Sequence, residues 1–228
     1  MSINPDLLAE GLARLGRIAD SLEDIARRMP VVGQSAGPER APKYGRRDMR
    51  QGVQLDEHLD QAMDEKFILI YTDGSGINAG SAQKSAGAGA IAIFGNTLKG
   101  VAVPIPNGTN NIGELEAIRQ GLMLSCEIMR EVEKSLPVVL VSDSQYALGV
   151  GLGEMNAKAN LELVESIRGL AGPMTITPKW VRGHASNPAN DLVDFLAYNG
   201  SLGRSAMFTE DVIVIDDVTA FKEMIQFS

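Results

Sequence analysis

Two β-prone runs in this sequence each end directly in an aspartate. The first covers residues 67–72 and is followed by Asp73, and the second covers residues 138–142 and is followed by Asp143. Continuous apolar runs of this length are typical of buried strands. If the two strands are parallel neighbours, both carboxylates emerge at the sheet edge where open α/β sheets bind their ligands. The pair therefore favours an α/β fold with a polar crevice at that edge.

The other predicted elements indicate a mixed sheet that is covered by helices. Two further strands, at residues 88–94 and 97–103, are joined through the tight-turn pair Gly95-Asn96. Three strands in succession, followed by alternating helices and strands, are characteristic of such a sheet. The remaining predictions are a fifth strand at 175–181 and helices at 112–130, 144–149, 161–170 and 188–198, the first with Asn110 or Asn111 as its cap.

An amphipathic helix is predicted at residues 6–29, within an N-terminal segment 1–30. Apolar residues recur there at seven-residue spacing, which gives weak coiled-coil character. Such a helix either packs on its own domain or joins two copies of the chain into a homo-oligomer. The repeating residues are Leu8, Leu15, Leu22 and Met29.

Three further segments follow along the chain. Residues 31–65 contain several prolines and glycines and read as a flexible linker, with a basic run between Arg40 and Arg50. Residues 66–205 form the predicted compact domain. Residues 206–228 are an extension without an assigned role, in which 212–215 resembles a strand.

Composition limits the compartment and the partners of the protein. A single cysteine, Cys126, excludes an internal disulfide framework and suits a reducing compartment, and on α-helical spacing it reads as a packing residue. Neither a secretory signal nor an apolar run of about 18 residues is evident, so a cytoplasmic location is expected. The formal net charge of −8 disfavours a strongly basic nucleic-acid-binding domain. Bound cations at an acidic site would reverse this field locally.

Four acidic residues are candidates for a shared metal site. They are Asp73, Glu114, Asp143 and Asp194, and His184 lies ten residues before the last of them. Carboxylates are hard ligands, and several that converge can hold two Mg²⁺ or Mn²⁺ ions, which can clamp the attacking and leaving oxygens of a phosphodiester. Taken singly, each acid has an ordinary explanation as a turn former or a solvated surface charge. Their occurrence together is what indicates a shared metal site.

The sequence resembles the type 1 ribonuclease H family over about residues 66–200. The resemblance implies a five-stranded mixed sheet flanked by helices. It also implies hydrolysis of the RNA strand of RNA·DNA hybrids, leaving 5′-phosphate and 3′-hydroxyl ends. Four blocks in the family's order carry it: Tyr71-Thr72-Asp73-Gly74-Ser75, Thr109-Asn110-Asn111-Ile112-Gly113-Glu114-Leu115, Ser142-Asp143-Ser144-Gln145-Tyr146, and Trp180-Val181-Arg182-Gly183-His184 continuing through Pro188, Asn190 and Asp194.

The resemblance also implies roles for individual residues. The four acids would bind two Mg²⁺ ions, with Mn²⁺ able to substitute, and His184 would assist proton transfer or product departure. Amide side chains suit the 2′-hydroxyls and base edges of a shallow minor groove. Trp180 is expected to be a core residue within its strand. The implied substrate contacts are Gly74, Ser75, Thr109, Asn110, Asn111 and Gln145.

Two departures from the family pattern affect substrate binding. The basic, tryptophan-rich protrusion of many members is replaced by the short, nearly uncharged stretch 149–158, and an aromatic, lysine-rich N-terminal module is missing. Weak affinity for hybrid is therefore expected, helped by the basic run or by pairing through residues 6–29. Two alternatives stay open: a DNA-cutting nuclease of the same fold superfamily, and a non-catalytic hybrid-binding module.

Overall fold

The computed structural model of the protein describes residues 55–79, 83–182 and 187–228. All of them belong to one compact unit. The predicted helix at 6–29, the basic run of the linker and His184 lie outside the described residues.

Six strands form one mixed sheet in the order β5-β4-β1-β2-β3-β6. The pairs β1–β4 and β4–β5 are parallel, and the pairs β1–β2, β2–β3 and β3–β6 are antiparallel. The mixed α/β class predicted from the sequence is thereby confirmed. The strands are β1 (Ile68–Ala79), β2 (Gln83–Phe94), β3 (Thr97–Pro106), β4 (Val138–Ser142), β5 (Ile176–Trp180) and β6 (Ala206–Asp211).

Helices cover both faces of this sheet. Side chains of α2, α3 and α4 pack in one hydrophobic cluster, and side chains of α1, α5 and α6 pack in the other. In the part of the chain that the structure describes, no helix has the length and apolar character of a membrane span. The helices are α1 (Leu55–Met63), α2 (Asn110–Glu131), α3 (Gln145–Gly151), α4 (Leu161–Ala171), α5 (Pro188–Ser201) and α6 (Val218–Met224), with a 3₁₀ helix at Val212–Asp217.

Strand β1 is buried on both faces, which explains its continuous apolar run. Ile68 and Ile70 contribute to the cluster under α2, whereas Leu69 and Tyr71 contribute to the cluster under α5. Successive side chains of a strand point to opposite faces, so a central strand needs apolar residues at every position. The strand therefore holds Asp73 at a fixed place relative to both helical layers.

Two predictions about the flanking segments were wrong. The predicted strand at 212–215 lies within a 3₁₀ helix, because Val212 and Ile215, three residues apart, both turn into the core. The extension instead supplies a sixth strand to the expected five at Ala206–Asp211, where Ala206 and Phe208 alternate inward. The predicted linker also contains helix α1, which is held on the sheet by the fully buried Ala62.

Candidate active site

The two aspartates that follow the buried strands are neighbours in the sheet. Strands β1 and β4 are parallel, and their register pairs Thr72 with Ser142. Adjacent strands lie about 4.8 Å apart. Asp73 and Asp143 each come one residue after this pair, so the backbone alone delivers both to the same sheet edge, as the sequence predicted.

Helix α2 brings Glu114 to the same place through an unusually close contact with β1. A Cβ atom on Gly74 would lie 2.2 Å from the Glu114 backbone nitrogen, a distance that no side chain could tolerate. Glycine at position 74 therefore lets the first turns of α2 rest directly on the strand. Glu114 itself is 7% exposed. Gly74 is therefore needed to bring Glu114 close to Asp73.

Three of the predicted carboxylates converge, and the fourth joins them from α5. Asp73, Glu114 and Asp143 each offer an oxygen atom within 4.8 Å of the other two. Asp194 is exposed and lies close enough to Asp73 for its charge and its side chain to raise the pKa of Asp73. Helix α5 reaches this position because it rests on β2, where a Cβ on Gly89 would lie 2.2 Å from the Val193 carbonyl oxygen.

Burial and mutual repulsion favour the protonated forms of the inner acids. The pKa of Asp73 is raised to about 8, first by burial and then by the neighbouring carboxylates of Asp143 and Asp194. The Gly74 amide, which donates to Asp73 at 2.9 Å, has the opposite effect and lowers this pKa. Burial, followed by the charges of Asp73 and Asp143, raises the pKa of Glu114 to about 9. Perturbation of this kind is common at functional sites.

The donor set fits a hard divalent cation. Glu114 Oε2 is buried and accepts no hydrogen bond from any group that the structure describes, although a buried carboxylate oxygen normally has a donor. A bound cation would satisfy this oxygen and would offset the repulsion that raises the pKa values of Asp73 and Glu114. All of the converging atoms are carboxylate oxygens, which Mg²⁺ and Mn²⁺ prefer.

Trp180 has a role beside the site that the sequence did not reveal. It was expected to be a core residue, and it does pack against the cluster under α2. Its Nε1 also donates to the Asp143 carbonyl oxygen at 2.8 Å. The register pairs Trp180 with Ser142, so the indole lies beside the strand end that carries Asp143. The only sequence signal for this contact was the position of Trp180 near the end of the strand predicted at 175–181.

The residues predicted to contact substrate lie near the acids along the chain, on β1 and in the first turns of α2 and α3. Asn111 and Gln145 are exposed in the first turns of α2 and α3, Gly74 is buried, and Ser75 is half-buried on β1. Asn110 is exposed and its Nδ2 lies 3.4 Å from Glu114 Oε1.

The cap of α2 is Thr109, not Asn110 or Asn111 as predicted, because the Thr109 hydroxyl accepts from the Ile112 amide at 3.4 Å. Neither asparagine side chain therefore caps the helix. The site roles of these residues stay predictions.

Comparison with known proteins agrees with this geometry. The family model described as RNase H matches residues 65–202 of the chain. The chain belongs to the ribonuclease H family. The resemblance carried by the four sequence blocks is therefore confirmed, and the protein is a ribonuclease H enzyme, which is a hydrolase of nucleic acid.

Individual relatives match the same part of the chain. A ribonuclease H of Cupriavidus necator is 30% identical over 152 residues, which cover 60% of this chain and 98% of the relative. A ribonuclease H of Thiobacillus denitrificans is 31% identical over 153 residues, covering 61% of this chain and 97% of the relative. A crystal structure of a type 1 RNase H with the type 2 active-site motif has the same fold, with a TM-score of 0.54, 19% identity, and coverage of 72% of this chain and 88% of that chain.

Proposed function

We propose that the protein is a metal-dependent endonuclease that hydrolyses the RNA strand of RNA·DNA hybrids and leaves 5′-phosphate and 3′-hydroxyl ends. The observation that carries the proposal is the convergence of Asp73, Glu114 and Asp143, with oxygen atoms within 4.8 Å of one another. Asp194, whose charge and side chain raise the pKa of Asp73, adds a fourth carboxylate. The family membership supports the same reaction.

In this proposal Asp73, Glu114, Asp143 and Asp194 hold two Mg²⁺ ions, for which Mn²⁺ can substitute. Bound divalent cations lower the pKa of water and neutralise charge that develops on phosphate oxygens. The chain's own contribution is to hold its four carboxylates in one place at the sheet edge. The Trp180 indole fixes the backbone at Asp143, and the close contact at Gly74 fixes Glu114.

Selection of the RNA strand is assigned to the polar side chains around the acids. Asn111 and Gln145 are exposed where α2 and α3 begin, and each can donate to and accept from a 2′-hydroxyl. Thr109 is proposed to contact phosphate, and Gly74, Ser75 and Asn110 are proposed as further substrate contacts. His184 is proposed to move a proton or to assist product departure from the segment between Arg182 and Asn187.

A cleavage assay with three duplexes tests this proposal. Labelled RNA·DNA hybrid, duplex DNA and duplex RNA are incubated with the purified protein and Mg²⁺ or Mn²⁺. Cutting of only the RNA in the hybrid supports the proposal. Cutting of duplex DNA would identify a DNA nuclease of the same fold. Binding of hybrid without cleavage would identify a binding module. The buried Glu114 Oε2, which has no hydrogen-bond donor among the groups that the structure describes, disfavours this outcome because it suits a metal ligand.

Asn111→Ala is expected to raise the KM for hybrid by about 5- to 10-fold, the equivalent of one hydrogen bond of about 1 kcal/mol. Thermal stability should change little, because Asn111 is exposed and does not cap α2. Steady-state kinetics and thermal denaturation measure the two effects. Asn156→Ala, an exposed asparagine in the loop after α3, is the control and should leave the KM unchanged.

Thr109→Ala removes the cap of α2 and should cost about 1 kcal/mol of unfolding free energy, together with a rise in KM from the loss of its proposed phosphate contact. An Asn111→Ala variant that loses stability but keeps its KM would contradict a substrate role for this side chain.

Deletion of residues 1–52 is expected to preserve cleavage chemistry but to weaken hybrid binding at moderate salt. The deleted segment contains the basic run between Arg40 and Arg50, whereas the chain as a whole has a net charge of −8. Contacts between basic side chains and phosphates weaken steeply as salt rises. The measurement is KM across a salt series for the full and the shortened chains. The same KM for both chains at every salt concentration would remove this role from the basic run.

A further inference from the structure

Helix α5 carries the least enclosed of the four acids. Asp194 is exposed, whereas Asp73 and Asp143 are half-buried and Glu114 is buried. No strand end or close glycine contact at position 194 fixes its side chain in the way that Gly74 fixes Glu114. The position of Asp194 beside Asp73 therefore depends on how α5 as a whole is held.

The inner face of α5 rests on the sheet through backbone contacts at two glycines and through buried apolar side chains. A Cβ on Gly87 would lie 2.1 Å from the Ala197 carbonyl oxygen, and one on Gly89 would lie 2.2 Å from the Val193 carbonyl oxygen. Backbone thus rests on backbone at both points. Ridges of side chains that enter grooves of a neighbour are what ordinarily fix the rotation of a helix. Gly87 and Gly89 offer no such ridge, so on this face the ridge comes from the fully buried side chains of α5 itself, Leu192 and Leu196.

Contacts on the outer side of α5 come from the segment at residues 212–228, which we call the flanking segment. The ring of Phe195, next to Asp194, and the ring of Phe227 are in edge-to-face contact at a centroid distance of 5.8 Å and an interplanar angle of 67°. Lys222 Nζ lies over the same Phe195 ring, 5.5 Å from its centroid. Edge-to-face and cation–ring contacts of this kind both favour one placement of the ring.

The flanking segment is itself fastened at several points. The Val212 amide donates to the Asn96 carbonyl oxygen at 3.0 Å, and Ser205 and Ser228 exchange two backbone hydrogen bonds of 2.9 Å. Ile215 and Asp216 line a cavity of about 260 Å³ together with Asn187, the N-cap of α5. The segment thus borders α5 near its N-terminus as well as at Phe195.

We propose that the flanking segment is a positioning element for the metal site, which supports the placement of Asp194 beside Asp73 through the contacts of Phe227 and Lys222 with Phe195 on α5. The inference rests on the proposed function, since Asp194 acts there as a metal ligand. Residues 203–228 lie beyond the part of the chain that matches the family model, so this chain supplies the contact from its own extension.

Phe227→Ala is expected to weaken Mn²⁺ binding by about 3- to 10-fold, the range for loss of one aromatic contact pair. Calorimetric titration of the full-length protein with Mn²⁺ measures this without any substrate. In the cleavage assay the variant should need correspondingly more Mg²⁺ for half-maximal kcat, while KM for hybrid stays within about twofold. If Phe227→Ala does not fold, Phe227→Leu, which keeps apolar volume but not the ring, should show a smaller shift in the same direction.

Two further variants separate positioning from general loss of stability. Phe67→Ala removes another half-buried aromatic, which lies near the ring of His58, about 20 Å along β1 from Asp73. It should lower thermal stability without changing Mn²⁺ affinity. In the Asp194→Asn background, Phe227→Ala should cause no additional loss of Mn²⁺ affinity, because residues that act through one group are not additive.

Unchanged Mn²⁺ affinity in Phe227→Ala would overturn the inference, as would an equal loss in Phe67→Ala or full additivity with Asp194→Asn. Failure of the proposed function gives a different result. In that case hybrid is not cleaved, yet Mn²⁺ affinity still falls in Phe227→Ala and not in Phe67→Ala.

Discussion

Asp143→Asn is expected to lower kcat for hybrid cleavage by at least about 10³-fold, the equivalent of about 4 kcal/mol of transition-state stabilisation. One Asp143 oxygen lies within 4.8 Å of the oxygens of Asp73 and Glu114. An amide keeps the size of the side chain but removes its charge and replaces one oxygen with a nitrogen donor. Metal binding by the remaining acids would then be weaker and its geometry altered.

The fold should survive this substitution. Asp143 follows β4 and is half-buried, and the hydrogen bond from Trp180 goes to its backbone carbonyl and not to its side chain. Circular dichroism and thermal denaturation measure the fold, and single-turnover cleavage in Mg²⁺ measures the chemistry. Asp60→Asn makes the same chemical change at an exposed position on α1 and should retain full activity. Near-normal turnover by Asp143→Asn would overturn the site assignment.

The central part of the fold and the acidic pair could be predicted because local pattern and tertiary environment agree there. A strand between two helical layers must be apolar at every position, and both Asp73 and Asp143 directly follow such runs. Their pairing as parallel neighbours was a condition of the prediction, and the register of β1 with β4 meets it. Glu114 and Asp194 came from the family resemblance, and the sequence gives no independent measure of where their helices rest.

The extension was mispredicted because a short apolar run does not distinguish strand from helix. Residues 212–215 look β-prone, but the core selects Val212 and Ile215, which are spaced as on a helical turn. The strand lies instead at Ala206–Asp211, where alternate side chains face the core. It pairs with β3, which is distant in the sequence. The contact between Phe227 and Phe195 depends on how the extension folds back onto α5, and no local sequence pattern predicts it.

The protein without bound metal is expected to lose stability as the pH rises from 6 to 9. The pKa of Glu114 is raised to about 9 from its ordinary 4.5, and that of Asp73 to about 8 from 3.8. In this window the folded protein therefore binds more protons than the unfolded chain, so each increase in pH favours unfolding. The loss of unfolding free energy from these two groups accumulates across this window and should appear as a steady fall in Tm.

Divalent cations should reverse this loss. Because carboxylates bind metal in their ionised form, Mg²⁺ or Mn²⁺ should raise Tm more at pH 9 than at pH 6. Differential scanning calorimetry across this pH range, with EDTA or with added metal, measures both effects. A metal-free Tm that is constant or rises between pH 6 and pH 9 would contradict the electrostatic account of the site.

Glu114→Gln identifies the source of the effect. The amide cannot ionise, so the metal-free variant should be more stable than the parent at pH 9 and should show a flatter pH dependence. It should also lose most of the stabilisation by Mg²⁺, because a ligand with a buried oxygen is replaced. Glu165→Gln, at an exposed position on α4, should change neither property. Glu114→Gln should therefore gain stability without metal and lose its response to metal. Both effects are expected if a bound cation offsets the repulsion between carboxylates that the fold brings together.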